Sequence, residues 1–135
     1  MSALIEDLRK EHEAILVEMR SVRQGQGIAG RETRERLLLA KRLFLSHLEK
    51  EDQEFYPVLR KAAEKDLKLH QKLEELKTEM REVTVLAVAF FDKYPDGSMG
   101  DNFIADCAAL LYRLEARLIK EENLYSEAEK YFAAQ

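Results

Sequence analysis

Apolar residues recur at steps of three and four, the spacing of one face of an α-helix, in four separate stretches of the chain. The first runs from about residue 3 to 23 and carries Leu4, Leu8, His12, Ile15, Met19 and Val22 on one face, with Ser2 available as its cap. GQGIAG, at 25–30, ends it. The second runs from about 31 to 62 through Leu37, Phe44, Leu48, Glu51 and Phe55, and Pro57 is expected to kink or interrupt its last turns. Asp66 is a suitable cap for the third, whose stripe of Leu69, Leu73, Leu76, Met80, Val83 and Ala87 lasts until about Phe91. YPDGSMGD, at 94–101, then makes a loop, and the fourth stretch runs from about 102 to 131 through Ile104, Cys107, Leu111, Leu114, Leu118 and Tyr125. Helices of about 20 to 30 residues with short connections predict an all-α, up-down-up-down four-helix bundle.

Composition agrees with that pattern and narrows the function. A chain of 135 residues is expected to form one domain spanning 1–135, and its five Gly and two Pro are too few for a β-rich fold. The net charge of -4 arises from interspersed acids and bases without a basic tract, which argues against nucleic acid as a partner. No apolar run approaches the roughly 20 residues that span a bilayer. Acids in MSALIEDLRKEHE occupy the place where a secretory signal needs a basic start, so a cytoplasmic protein with no membrane partner is expected. The lone Cys107, among Ile104, Ala108 and Leu111, reads as a core residue.

The chemistry lies in ionisable residues that interrupt the apolar stripes. On a helical wheel His12 falls about 40° from Leu8, Glu51 about 20° from Phe44 and Glu122 about 40° from Leu118, so all are expected to face inward. His47 and His70 lie on the shoulders of their stripes. An ionised carboxylate in a core costs several kcal/mol unless something positive neutralises it. Carboxylates and imidazoles converging from facing helices are a recurring way to bind iron, manganese or zinc. One such residue taken singly reads more readily as a packed histidine or a glutamate reaching water. Three histidines on three helices, one of them four residues before an inward Glu, make the joint reading stronger. An internal echo aligns HLEKEDQEF (47–55) with RLIKEENLY (117–125) and sets Arg117 opposite His47.

With His12 in KEHEAIL, His47 and Glu51 in HLEKEDQEFYP, and His70 in LHQKLEEL, the chain resembles the hemerythrin-like, or HHE cation-binding, domains over nearly its whole length. The resemblance implies a four-helix bundle around a non-haem di-iron or mono-iron centre. Carried over residue by residue, it implies the metal ligands His12, His47, Glu51, His70, Glu74 and Glu122. Glu74 stands where the family has a second histidine, and Arg117 stands where a histidine of the fourth helix is expected. A guanidinium has no lone pair for a metal, so one iron position loses a nitrogen donor. Arg117 is expected instead to pair with Glu121, Glu122 or Glu74, which would make a metal-poor or metal-free core tolerable.

Three functions follow from these residues and the resemblance. The first is a cytoplasmic iron-binding bundle that senses or handles oxygen, nitric oxide, redox state or iron, with the metal ion and dioxygen or nitric oxide as its partners. The second is a di-iron oxidoreductase, which the sequence favours less because no nucleophile, base and orienting acid assemble without consuming the metal ligands. The third is a metal-free relic of the family serving as a helical interaction or homodimerisation module.

Overall fold

A computed structural model describes residues 2–24, 31–94 and 102–133. The expected loops 25–30 and 95–101 lie outside the described residues. The elements are α1 (Ala3–Gln24), α2 (Arg31–Lys50), a π-helical turn (Glu51–Phe55), α3 (Tyr56–Ala63), α4 (Leu67–Lys93) and α5 (Phe103–Ala133). The π turn joins α2 to α3, so α2, the turn and α3 form one continuous rod. Rods α1, α2–α3, α4 and α5 pack as an up-down-up-down bundle in which α1 contacts α2 and α5 while α4 contacts α3 and α5.

The ends of the helices follow local chemistry. Ser2 Oγ accepts a long 3.5 Å hydrogen bond from the Ile5 amide at the start of α1. Asp66 has an extended backbone and its carboxylate accepts from the Leu69 amide at 3.1 Å, which satisfies one of the free donors of the first turn of α4. At the far end of α4 the Tyr94 hydroxyl donates to Asp106 at 2.6 Å and ties this helix to the first turn of α5.

The interruption expected at Pro57 takes the form of a π turn just before it. The proline ring removes one amide donor, and just before it the helix opens so that the Tyr56 amide donates to the Glu51 carbonyl. The wider turn absorbs one extra residue. At a uniform 100° per residue Ala63 would lie about 100° from Phe44 around the rod, and absorbing one residue removes about that angle. Leu59 and Ala63 therefore return to the stripe and are buried.

Two apolar clusters fill the bundle. One contains Ile15, Met19, Phe44, Val83, Phe90, Phe103, Cys107 and Leu114, and confirms Cys107 as a core residue. The other contains Ile5, Leu8, Phe55, Leu59, Leu73, Leu76, Leu124 and Tyr125. Between them every rod carries polar or polarisable side chains: His12 on α1, His47 and Glu51 on the second rod, Glu79 and Met80 on α4, and Arg117 and Glu121 on α5. The core is thus two oily blocks separated by a polar layer. Phe103 is buried with its ring 4.8 Å from Tyr94 and 5.6 Å from Phe90. Phe103→Ala is expected to cost about 3–5 kcal/mol, read as a lower urea midpoint, because the rigid rods cannot close the cavity.

Candidate metal centre

Within the polar layer one atom each from His12, His47, Glu51 and Glu121 lies within 4.8 Å of the other three, and all of these side chains are buried. The helical repeat explains the convergence. His47 and Glu51 are one turn apart on the same face, the two rings of His12 and His47 meet at 4.4 Å, and Glu121 is carried in from α5.

The histidines are oriented from outside. His47 Nδ1 donates to Glu11 Oε1 at 2.8 Å, and Lys50 holds the other oxygen of Glu11 at 2.6 Å. That partner fixes the His47 proton on Nδ1 and leaves Nε2 as a lone pair 3.0 Å from Glu51 Oε1. At His12 the outer contact is longer: Nδ1 lies 3.4 Å from Glu122 Oε1 without a hydrogen bond, and Arg9 Nε holds Glu122 Oε2 at 2.8 Å. Each imidazole therefore turns Nε2 inward, while its Nδ1 side faces a carboxylate that a cation anchors from outside.

The inward atoms do not satisfy one another. Tyr125 Oη lies 2.9 Å from His12 Nε2, 2.9 Å from Glu51 Oε2 and 3.5 Å from Glu121 Oε2, yet it has a single proton to give. His47 Nε2, Glu51 Oε1 and Glu121 Oε1 are buried without any hydrogen-bond partner. Imidazole and carboxylate atoms thus meet without partners in a buried layer, and that is the arrangement a cation would complete.

The other half of the layer is chemically different. Arg117 is buried, its Nη1 bonds Glu79, and its Nε lies 3.3 Å from Met80 Sδ. Lys120 holds both oxygens of Glu79 from outside, at 2.8 and 3.0 Å. The expected pairing of Arg117 with Glu121, Glu122 or Glu74 is replaced by Glu79, which α4 presents at the level of the layer. A guanidinium and a thioether occupy this side, and a recess of about 340 Å³ lined by Glu51, Tyr56 and Met80 opens beside it.

Of the ligands suggested by the sequence, the structure brings His12, His47 and Glu51 together. It places Glu122 beside His12 but on the outer side, with its side chain 41% exposed, and puts Glu121, at 0%, in the inward position. The reason is the choice of reference: Leu118 lies at one edge of the buried stripe of α5. Measured from the stripe's centre, Glu121 is about 10° away and Glu122 about 90°. His70 and Glu74 are exposed on α4, about 105° and 145° from the centre of its buried face, and take no part in the cluster. The echo carried the missing signal, because its alignment sets Glu121 opposite Glu51 and Tyr125 opposite Phe55.

Electrostatics records the same strain. Burial, followed by the electrostatic influence of the neighbouring His47, pushes His12 down to about 3. Burial raises Glu51 against the hydrogen bonds from Glu121 and Tyr125, while burial and the neighbouring Glu51 raise Glu121 well above the ordinary carboxylate range. Glu11 moves the other way: partial burial opposes its ionisation, and the hydrogen bonds from Lys50 and His47 outweigh that cost. For His12 the fold favours the neutral form, so its contribution is complete above the ordinary value of 6.5 and is lost as pH falls towards 3. For Glu51 and Glu121 the fold favours the protonated form, so their contribution is complete below 4.5 and is lost as pH rises through their raised values. Just above pH 4.5 two carboxylates lose stability while one imidazole gains it, so the metal-free protein is expected to show its highest thermal midpoint near pH 4.5. A midpoint that climbs steadily to pH 8 in chelator-treated protein would contradict this balance.

No helix of the described residues is long and apolar enough to cross a membrane. Comparison with curated proteins and with solved structures gives no match. The family described as Hemerythrin HHE cation binding domain does match, over residues 3–128, a span that holds the whole polar layer and every side chain of the His/Glu group. Fold, buried His/Glu group and family pattern coincide over the same stretch, and the chain belongs to the hemerythrin HHE cation-binding domain family.

Proposed function

We propose that the chain is a single-domain, cytoplasmic bundle that holds one non-haem iron ion on His12, His47, Glu51 and Glu121 and uses it to sense or handle oxygen, nitric oxide, redox state or iron. The observation that carries this reading is the gathering of His47 Nε2, Glu51 Oε1 and Glu121 Oε1, buried without hydrogen-bond partners, in one His/Glu group. Mixed imidazole and carboxylate donors suit iron and manganese better than softer metals, and the family membership favours iron. Iron bound there would supply a redox-active centre able to take up a small ligand.

The chain's own residues divide the remaining work. Glu11 sets the direction of the His47 imidazole, Glu122 lies beside that of His12, and Lys50 and Arg9 keep those carboxylates in place. The recess beside Glu51 gives a small molecule a way to the edge of the group, with Tyr56 and Met80 in its wall. A second ion has poorer provision: Arg117 and Glu79 neutralise one another where further donors would be needed, and His70 and Glu74 face away. The same pair supports a one-ion site over a di-iron oxidoreductase, and the uncompensated His/Glu group weighs against a metal-free module.

Protein purified without a histidine tag from iron-supplied cells is expected to carry on the order of one iron ion per chain by elemental analysis. Glu51→Ala and Glu121→Ala should lose most of it, whereas His70→Ala and Glu74→Ala should keep it. Equal losses from Glu74→Ala would place the ion elsewhere. Glu11→Gln leaves every donor atom of the group present but weakens the hold on the His47 ring. It should lower affinity about 10- to 100-fold in a chelator competition.

A further inference from the structure

Tyr125 is the residue nearest the centre of the polar layer that the reading above leaves without a metal role. Its ring is fully buried and fixed on both sides, with Phe55 edge-on at 5.0 Å and His12 stacked at 5.1 Å. The hydroxyl oxygen touches His12 Nε2, Glu51 Oε2 and Glu121 Oε2 at 2.9, 2.9 and 3.5 Å.

Those separations match donors sharing one ion. With bonds near 2.1 Å, adjacent positions of an octahedron stand about 3.0 Å apart and opposite ones about 4.2 Å. Tyr125 Oη makes two adjacent edges, to His12 Nε2 and Glu51 Oε2; with Glu51 bound through both oxygens, its Oε1 makes a third with His47 Nε2 at 3.0 Å, and His12 Nε2 with Glu121 Oε1 at 4.0 Å approach an opposite pair. Hydrogen bonding alone accounts poorly for the same contacts. Tyr125 donates to Glu51 Oε2, while His47 Nε2, Glu51 Oε1 and Glu121 Oε1 beside it have no hydrogen-bond partner.

Resting on the iron-binding reading, we propose that Tyr125 is a fifth protein ligand of the ion, bound through its hydroxyl oxygen, and that the site thereby favours the hard ferric state. Binding exchanges the O–H bond for an O–iron bond, the proton leaves to solvent, and no electron is transferred. Without metal, the same hydroxyl proton stands in for the cation by bonding part of the acceptor group, which makes Tyr125 a placeholder as well as a ligand.

The test loads chelator-stripped full-length protein with ferric iron delivered as its nitrilotriacetate complex, followed by gel filtration, elemental analysis, visible absorption and resonance Raman spectroscopy. The expected result is about one iron per chain, a visible tyrosine-to-iron charge-transfer band, and enhanced tyrosine ring modes that shift when ring-deuterated tyrosine is incorporated. Tyr125→Phe should abolish the band and the ring modes while still binding iron, and Tyr56→Phe should keep both. Iron bound to the parent chain without the band, or a band that survives in Tyr125→Phe, overturns the assignment and leaves the iron reading standing. Failure of the parent chain to retain iron by elemental analysis overturns both together. The parent chain's spectrum is decisive even if the Phe variant folds poorly.

Discussion

The mid-core layer imposes one constraint on everything around it: lone pairs gathered away from water must be matched by something positive. Glu51 and Glu121 cannot both stay ionised there without a partner, since each unpaired buried charge costs several kcal/mol. Oily blocks above and below supply the stability that tolerates this cost. They also keep the rods straight and in register, so the side chains of the layer arrive at one level without being held by loops. The apolar core thus acts as the scaffold of the polar site as well as the main source of folding energy.

Compensation takes a different form in the two halves of the layer. Around His12 and His47 the positive charges stand outside, on Arg9 and Lys50, and act through Glu122 and Glu11 so that the centre itself is left electron-rich. Around Arg117 the positive charge is inside, and Lys120 and Glu79 surround it. A guanidinium is permanently charged and needs no loading, so that half carries its own cation, of which Nη2 is left without a hydrogen-bond partner. Division of one layer into a cation-bearing side and an electron-rich side follows from a single residue type, arginine, on the buried face midway along α5.

Much of this was legible in the sequence. Apolar spacing located all four rods, Asp66 was readable as a cap because its carboxylate precedes a clean stripe, and Glu51 stood out because it breaks an oily face. His12 and His47 were recognisable for the same reason. Glu121 was missed because Leu118, used as the reference, sits at the edge of its stripe, so a wheel drawn from one residue rotated the whole inner face. His70 and Glu74 were drawn in by family resemblance, although the apolar residues of α4 turn them outward. The Arg117–Glu79 pair depends on how two long side chains bend across a helix interface, and spacing along one chain does not encode that. Pro57 announced a disturbance in the second rod without revealing that the disturbance would be a wider turn.

That wider turn has a consequence for how this chain tolerates change in length. It is a local store of one surplus residue, with exposed Asp52, Gln53 and Glu54 on its outer side. Deleting one of these would let an ordinary α-helix run from α2 into α3 while Leu59 and Ala63 kept their places in the core. Such a deletion elsewhere in the rod would turn every following residue by about 100° and expose the stripe. Length variation in this rod is therefore absorbed beside Glu51, at the edge of the polar layer, where loss of the surplus residue would retune the presentation of that carboxylate and leave the packing of the bundle unchanged.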